Sequence, residues 1–551
     1  MHPTPATHDV IIMGGGLAGL TLALQLKRRF GDIDVLVLER RSHPVPHATH
    51  KVGESSVEIG AHYFDTVLGL KQHLDEAQLR KFGFRFFFSE GRRDLDAVTE
   101  VGASRPLSIP SYQIDRGIFE NHLAEVAAAQ GVRFVDNAMV RRMALDPAPQ
   151  GLHRIEWTEA GEPHAAQCRW MVDACGRAGL LKRQLGLVQP NDHQAHAVWF
   201  RIGNRLTLDD WGQDPEWRAR CTPAARWLST NHLVGAGYWV WLIPLASGSH
   251  SVGIVADPAF HPLERMDSFD KAMDWLAEHQ PVLFDVLDGQ RDKLQDFAFM
   301  RKFSYGCKKV FSGERWALTG EAGLFLDPFY SPGSDFIAMS NTFICDLIAH
   351  DRAGRSVQAR AQLYDHIYHS FYDSTLALYQ GQYGLFGDPE VLPVKVVWDY
   401  TYYWGVLSQL FFHERLTDVA TLGNLREELQ HCQQLNIAMQ GFLRAWSSVS
   451  ERRNAARMLD QAALPWFAEL NASLRESPLP DAAAFQARLR QCVAQLRTLA
   501  HQIHRQALDQ HPGLDDGALA ALLAQPMPRT PIDRDAAPML FEHLARSPAV
   551  A

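Results

Sequence analysis

The sequence has few cysteines, and none of them form a closely spaced pair. The seven cysteines among 551 residues stand at positions 168, 175, 221, 307, 345, 432 and 492. Disulfide-bonded folds usually carry an even set, and zinc or redox sites use Cys-x-x-Cys spacing, so neither is indicated. Scattered cysteines are typical of a reducing compartment, and we expect a cytoplasmic protein.

Long apolar runs and dense basic stretches are also missing. The most apolar late segment, YYWGVLSQLFF from Tyr402 to Phe412, is shorter than the ~20 residues that cross a bilayer, so we expect a buried helix there and no transmembrane segment. The first eight residues, MHPTPATH, lack the basic and apolar regions of a signal peptide. Lys and Arg number 54 against 63 Asp and Glu, which argues against nucleic acid as a partner.

The rest of the composition is typical of a globular protein. Hydrophobic residues make up 46% and charged residues 21% of the chain, which predicts a large core. A chain of this length is expected to form two or three domains.

A nucleotide-binding pattern begins the chain. DVIIMGGGLAGLTLALQLKRRF predicts a buried strand, a glycine turn and a helix, and IDVLVLE follows as a second strand ending at Glu39. The turn has the pattern Gly-x-Gly-x-x-Gly, which lets the backbone approach a pyrophosphate. The Glu39 carboxylate can accept hydrogen bonds from ribose hydroxyls, so the pattern predicts a site for FAD or NAD. The nucleotide contacts predicted here are Gly14, Gly16, Leu17, Ala18, Gly19, Glu39 and Arg40.

Further strands and helices follow. FGFRFFF from Phe82 alternates like a strand, and YWVWLIPL followed by SGSH and SVGIV predicts a hairpin of an inserted sheet. Beyond about Cys345, apolar residues recur every three or four positions, which predicts a helical region. One example is the set Phe485, Leu489, Val493, Leu496, Leu499 and Ile503.

Three segments resemble FAD-contacting motifs of the flavoprotein monooxygenase superfamily. They are YQIDRGIFENHL, VDACGRAGLL and WALTGEAGLFLDP, the last with Glu321 in the place of the superfamily's aspartate. The resemblance implies FAD as the cofactor. It implies contacts from Arg116, Gly320, Glu321 and Asp327. A single dinucleotide motif is present, so no separate NADPH domain is indicated.

Roughly the first two thirds of the chain resemble flavin-dependent halogenases of the tryptophan halogenase superfamily. KVGESSVEIG is similar to the family's Val-Gly-Glu-Ser segment beside the flavin, which implies FAD contacts from Val52, Gly53, Glu54 and Ser55. YWVWLIP resembles the signature Gly-Trp-x-Trp-x-Ile-Pro, with Trp239 and Trp241 in place and Tyr238 at the first position. FLDPFYSPG fits Phe-x-x-Pro-x-x-Ser-x-Gly through Phe325, Pro328, Ser331 and Gly333.

The family's essential lysine, which holds or relays hypohalous acid, corresponds in this resemblance to Lys81 in LRKFGFRFFF. If the segment is one strand, one face carries Lys81, Gly83, Arg85 and Phe87, and the other carries Phe82, Phe84, Phe86 and Phe88. The pattern alone favours an exposed lysine, because most lysines face solvent. The resemblance favours a catalytic one.

The resemblance implies an FAD-dependent oxidoreductase of secondary metabolism. Such a halogenase uses reduced FAD, supplied by a separate flavin reductase, with oxygen and a halide ion to halogenate an electron-rich aromatic compound. Tyr330 stands where members acting on tryptophan have a glutamate, which favours phenols or aryl groups tethered to a carrier protein. The residues expected to line the substrate region or tunnel are Trp239, Trp241, Pro328, Tyr330 and Ser331.

The halide site departs from the family pattern. The family holds halide on backbone N–H groups after the motif serine, but Pro332 has no N–H, which leaves Gly333 and Ser334 as donors. Two alternatives therefore stay open: an FAD-dependent aromatic monooxygenase that has lost halide binding, and a non-catalytic flavin-binding scaffold. No histidine group stands with carboxylates in a metal-binding pattern, so no metal site is predicted.

The predicted fold class is α/β. We expect a Rossmann-like FAD-binding domain over residues 1–345, with an antiparallel-sheet substrate domain inserted at about 75–110 and 195–300. A mostly α-helical C-terminal region is expected at 346–525, followed by a loose tail at 526–551.

Overall fold

The computed structural model describes residues 5–47, 51–148, 150–527 and 540. The chain forms two compact units. The first unit contains 1–78, 114–192 and 304–372, and the second contains 79–113, 193–303 and 373–551. Most of the predicted tail lies outside the described residues, and the predicted domain boundaries stay a prediction.

The strands, in chain order, are β1 Ala6–Met13, β2 Val35–Leu38, β3 Leu79–Arg80, β4 Phe84–Phe87, β5 Glu100–Gly102, β6 Tyr112–Gln113, β7 Arg133–Val135, β8 Ala138–Ala144, β9 His153–Glu159, β10 Glu162–Asp173, β11 Val188–Gln189, β12 His196–Ile202, β13 Thr230–Gly235, β14 Tyr238–Pro244, β15 His250–Ala256, β16 Leu294–Met300, β17 Gly306–Cys307, β18 Trp316–Leu318 and β19 Met458–Asp460.

The α-helices are α1 Leu17–Arg29, α2 Glu58–His62, α3 Lys71–Ala77, α4 Arg116–Ala129, α5 Leu180–Gln184, α6 Pro215–Ala219, α7 Phe269–His279, α8 Pro281–Asp288, α9 Gly333–Arg352, α10 Gln358–Leu376, α11 Val391–Tyr402, α12 Gln409–Phe412, α13 Val419–Asn424, α14 Arg426–Val449, α15 Pro465–Ser473, α16 Ala482–Gln510 and α17 Gly517–Ala524. Within the described part of the chain, none is long and apolar enough to cross a membrane.

The first unit is built on a sheet with the strand order β7-β2-β1-β10-β9-β8, to which β18 adds beside β10. The central strand β1 pairs in parallel with both β2 and β10, so that Met13 lies opposite Leu38 and Asp173. Parallel strands joined by helices form a Rossmann-like layer, and their carboxyl ends meet at one edge. The predicted fold class is confirmed for this unit.

The second unit contains an eight-stranded sheet with the order β16-β12-β15-β14-β13-β4-β5-β19. Strands β14 and β15 form the predicted hairpin, with Tyr238 opposite Ala256 and Pro244 opposite His250. Most neighbours are antiparallel, but β13 pairs with β4 in parallel. The inserted sheet that the sequence predicts is therefore present.

One face of this sheet, which we call the core face, buries apolar, mostly aliphatic strand side chains against α7 and α8. Its strand residues include Phe87, Val198, Phe200, Leu233, Val240, Leu242, Val252 and Ile254. These residues alternate along each strand with side chains of the opposite face, as the pleat requires.

A buried charge cluster lies on the same face. Glu100 accepts hydrogen bonds from Arg85 and from Arg226 Nε, the latter at 2.9 Å, and all three residues are fully buried. Burial alone would raise the pKa of Glu100, but the two guanidinium groups hold that pKa below its usual value. The cluster is therefore ionised at neutral pH.

The C-terminal part of the second unit is mostly helical, as predicted. In α16, the apolar residues identified from their spacing, from Phe485 to Ile503, are buried. The segment Tyr402 to Phe412 is a continuous helical stretch that includes a π-helix over Tyr403–Ser408, and it is buried from Trp404 onward. One departure is β19, a strand in the region predicted to be helical, which pairs with β5 through Leu459 and Val101.

Candidate active site

The glycine turn between β1 and α1 forms the centre of the first unit's site. Gly14 has a φ of +110°, and a Cβ there would lie 2.3 Å from the carbonyl oxygen of Ala174. A Cβ on Gly19 would lie 1.9 Å from the Gly14 oxygen. Gly16 is the N-cap of α1 and provides no side-chain cap. The first-turn N–H groups of α1 are therefore suited to an anionic ligand.

Glu39 lies at the end of β2 beside this turn. Its Oε2 accepts a hydrogen bond of 2.7 Å from the N–H of Gly15, and its Oε1 accepts one of 2.9 Å from the N–H of Arg41. The carboxylate is thus held against the glycine turn, as a ribose-binding acid requires. Its neighbour Arg40 is exposed.

A charge cluster that the sequence analysis missed lies at the N-terminus of α1. The buried Glu120 accepts a hydrogen bond of 3.2 Å from the N–H of Leu17. Lys51 Nζ lies 2.9 Å from its Oε2, and Arg116 pairs with its Oε1. Spacing of four residues on α4 could have predicted the Arg116–Glu120 pair. The cluster places two cations beside a helix N-terminus.

The segment from Val52 to Ser55 folds against Arg116. Arg116 Nη1 donates to the carbonyl oxygen of Val52 at 2.9 Å, and a Cβ on Gly53 would lie 2.6 Å from that nitrogen. The N–H of Ile114 donates to the carbonyl oxygen of Glu54 at 2.6 Å. The structure therefore brings the two sequence-predicted FAD segments together.

The glycine stretch after β18 also packs near α1. Gly320 has a φ of +59°, and a Cβ on it would lie 3.0 Å from the Ala18 side chain. Asn341 of α9, which the sequence analysis missed, donates to the Ala18 carbonyl oxygen at 3.2 Å. Glu321 forms an ion pair with Arg177, in which Oε2 lies 3.1 Å from Nε.

These residues fit a dinucleotide. The turn has no room for side chains at Gly14 and Gly19, α1 presents its N-terminus, and the Lys51–Glu120–Arg116 cluster beside it carries a net positive charge that suits a pyrophosphate. Glu39 stands where a ribose would bind. The first unit therefore has the donor set that FAD needs.

Pro332, which has no backbone N–H to donate, lies in the loop before α9. The Asp327 side chain accepts from the N–H of Phe329 at 2.9 Å and caps a short turn over Pro328–Tyr330. Ser331 follows in a left-handed conformation, with a φ of +51°. Pro332 is the N-cap of α9, and its carbonyl accepts from the N–H of Phe336 at 3.0 Å.

At the N-cap, the missing N–H of Pro332 costs the helix no hydrogen bond. A helix leaves its first N–H groups without intrahelical acceptors, so the N-cap residue contributes no helical N–H bond. Gly333 and Ser334 are the first two residues of the 20-residue helix α9. They therefore present backbone N–H donors at its N-terminal end. A helix N-terminus is an anion-binding site by charge and by donor direction.

Lys81 lies in the second unit, in the loop between β3 and β4. It is buried, its N–H donates to the Ser111 carbonyl at 2.8 Å, and its Nζ lies 3.3 Å from the centroid of the Phe84 ring. The segment is not one strand, so the common face of Lys81 and Arg85 that a single strand would give is not formed. Gly83, with a φ of +79°, interrupts the alternation before β4 begins, so the ammonium lies on Phe84.

The opposite face of the eight-stranded sheet, which we call the aromatic face, carries Phe84, Phe86, His232, Trp239 and Trp241. Trp239 Nε1 donates to the hydroxyl of Tyr383 at 3.1 Å, and Trp241 Nε1 donates to Ser251 Oγ at 3.1 Å. A Cβ on Gly253, opposite Trp241, would lie 2.2 Å from the indole ring. The two tryptophans are therefore held rigidly.

Two further residues of the second unit contact Phe84, and the first of them, His232, was missed from the sequence. The His232 ring lies 5.4 Å from the Phe84 ring, and the Tyr400 ring of α11 lies 6.1 Å from it, centroid to centroid. Alternation in TNHLVG could have placed His232 on a face of β13, but not beside Phe84. Among the described residues, no group of His, Cys, Asp and Glu is arranged to hold a metal.

Comparison with protein families identifies two matching models. An NAD(P)-binding Rossmann-like domain matches residues 12–76. A tryptophan halogenase model matches residues 102–385, a little more than half of the chain.

Characterised relatives agree with the second model. The flavin-dependent halogenase chlA of Dictyostelium discoideum is 26% identical over 73% of this chain and 70% of its own length. The 1H-pyrrole-2-carbonyl-(peptidyl-carrier protein) brominase of Pseudoalteromonas luteoviolacea is 24% identical over 62% of this chain and 77% of its own.

The fold also has solved counterparts. The crystal structure of halogenase PltM in complex with phloroglucinol and FAD has a TM-score of 0.62 and 19% identity, and the match covers 87% of this chain and 96% of that one. At this level of identity the similarity shows a shared fold.

Proposed function

The chain belongs to the tryptophan halogenase family, and we propose that it halogenates an electron-rich aromatic compound, a phenol or a carrier-tethered aryl group, with reduced FAD, oxygen and a halide. The resemblance inferred from the motifs is thereby confirmed at the level of the family, as is FAD as its cofactor. When bound, reduced FAD supplies the electrons with which oxygen and halide become hypohalous acid.

The first unit holds the cofactor in this proposal. The N–H groups at the start of α1 and the cations Lys51 and Arg116 bind the pyrophosphate, and Glu39 binds a ribose. Glu120 keeps the two cations in place through its contacts with both. The remaining proposed FAD contacts are Val52, Gly53, Glu54, Ser55, Gly320, Glu321 and Asp327.

The halide binds, in this proposal, to the N–H groups of Gly333 and Ser334 at the start of α9. Pro332 occupies the N-cap and offers no N–H itself, but the N–H groups of Gly333 and Ser334 follow it at the helix N-terminus and remain as two donors for a halide. The left-handed Ser331 turns the chain into the helix, which orients these two donors.

Lys81 carries the halogenation step, and its environment is the observation on which this proposal depends most. An ammonium 3.3 Å from the centre of an aromatic ring, within a buried aromatic face, can donate a hydrogen bond to the oxygen of hypohalous acid. Low polarity around the group strengthens that bond and excludes water. The acid is thus directed at an electron-rich ring rather than released.

The substrate class follows from Tyr330 and from the relatives. A tyrosine in place of the glutamate of tryptophan-acting members disfavours free tryptophan. The Pseudoalteromonas relative acts on a pyrrole tethered to a carrier protein, and PltM is seen with a phenol. We infer a flavin reductase as partner and, from seven cysteines without disulfides, a cytoplasmic location.

The test is a product assay with chemically reduced FAD, oxygen and bromide. The panel consists of phloroglucinol, resorcinol, tyrosine and pyrrole-2-carbonyl loaded on a carrier protein. We expect a brominated product from at least one member, formed in proportion to bromide. Products without halogen from the whole panel would overturn the proposal.

A further inference from the structure

We propose that His232 accepts the proton that the aromatic ring loses when it is halogenated at Lys81. The inference rests on the proposed role of Lys81 and adds a second catalytic group to the same face of the sheet.

The register of the sheet places His232 among aromatic residues. On β13 it lies opposite Phe86 of β4 and opposite Trp241 of β14. Its ring stacks on Phe86, with centroids 4.6 Å apart and an interplanar angle of 20°. Trp239 lies 5.2 Å away. The imidazole is fully buried and its place is fixed from three sides.

His232 and Lys81 contact the same ring. The imidazole meets Phe84 in an edge arrangement at 5.4 Å, and the ammonium lies 3.3 Å from the centroid of that ring. Phe84 therefore connects the group that holds the oxidant with an imidazole on the same face. In this proposal the substrate ring binds beside Phe84, next to both groups.

The chemistry of halogenation calls for such a base. The ring carbon forms a bond to the halogen of hypohalous acid, and the halogen–oxygen bond breaks. The departing hydroxide takes a proton from the Lys81 ammonium and becomes water. The ring C–H bond then breaks, its electron pair restores aromaticity, and its proton passes to the imidazole of His232.

The cycle closes after product release, when solvent enters and carries the proton from the imidazolium to the Lys81 amine. The net reaction converts an arene and hypohalous acid into a haloarene and water. Imidazole is suited to the role because its neutral form has a ring nitrogen that accepts a proton, and the arenium ion formed by halogenation is a strong acid. The other face of the sheet carries buried histidines as well, and His250 is one that is equally buried, which provides a matched control.

The experiment compares wild type with His232→Gln, His232→Phe and His250→Gln. Each is given whichever panel member the wild type brominates fastest, with hydrogen or deuterium at the reacting carbon. For both His232 variants we expect a fall in the single-turnover bromination rate of about 100-fold and a primary deuterium isotope effect that wild type and His250→Gln lack. Added imidazole should partly restore the rate of a His232→Ala variant.

Folding is checked by FAD affinity and thermal melting. If the glutamine and phenylalanine variants do not fold, thiazolylalanine at position 232, which matches imidazole in shape but is far less basic, takes their place with the same expectation. Unchanged rates without an isotope effect in folded variants would overturn the inference while leaving the function intact. A wild type that brominates no panel member would overturn both.

Discussion

The two faces of the eight-stranded sheet carry different side chains, although the same strands supply both. The core face has mostly aliphatic strand residues and a paired Arg85–Glu100–Arg226 cluster. The aromatic face has rings, an imidazole and the Lys81 ammonium. The difference indicates that substitutions on the core face affect the free energy of unfolding, whereas those on the aromatic face affect catalysis. Each prediction below tests this division.

The largest effect is expected from Lys81→Met. The variant keeps the length and burial of the side chain but loses the ammonium that holds the oxidant. Bromination should fall about 1,000-fold or more, while FAD affinity and the melting temperature stay at the wild-type values. Arg80→Met, at the exposed neighbouring residue, should behave as wild type. Equal bromination by both variants would remove Lys81 from the mechanism.

On the core face, Glu100→Gln should act on stability. It removes the only carboxylate that the two buried guanidinium groups share and leaves Arg226 with its weaker contact to Asp209 at 3.3 Å, which lowers the free energy of unfolding by about 3–5 kcal/mol. Urea denaturation measures the loss, and bromination per folded molecule should not change. Glu278→Gln, which removes an exposed ion pair with Arg265, should have almost no effect. A stable Glu100→Gln protein with impaired catalysis would contradict the division.

An intermediate effect on both properties is expected from Gly253→Ala. The added Cβ would lie 2.2 Å from the Trp241 ring, so the indole must move away from Ser251. We expect a loss of about 1–3 kcal/mol in the free energy of unfolding together with slower bromination. Trp241→Phe in the same chain should restore most of the stability, as a double-mutant cycle measures. Additive losses would show that the ring is not the obstacle.

The smallest effect is a pH dependence on the core face. Burial lowers the pKa of His250 from 6.5 to about 3. The unfolded chain therefore binds a proton that the folded chain does not. Stability is lost as pH falls below 6.5, by about 1.4 kcal/mol per pH unit for this residue. His250→Gln should reduce the slope of unfolding free energy against pH between 6.5 and 5 by that amount. An unchanged slope would contradict the contribution of His250 to the pH dependence of stability.

Local patterns were enough to predict several parts of the molecule. The glycine turn, the acid at Glu39 and the hairpin of β14 and β15 follow from spacing over a few residues, because strands and turns impose short periods. The opposite faces of Phe84 and Arg85 follow for the same reason. The long helix α16 follows from its apolar period.

Other parts depend on contacts that are distant in sequence. Lys51 meets Glu120 only after β1, α1 and α4 have packed, and β19 becomes a strand only because β5 offers an edge. The direction of Lys81 depends on one residue, Gly83, whose positive φ a strand pattern does not reveal. His232 and Phe84 come together through strand register, which the sequence of either strand leaves open.

The most direct test of the central claim is a high-resolution mass spectrum of the product that wild type makes from the panel in ¹⁸O₂ with bromide and reduced FAD. The account predicts a product that contains bromine and no ¹⁸O, because the oxygen atom leaves as water. A product that contains ¹⁸O and no bromine would contradict it and would identify an oxygen-inserting enzyme instead.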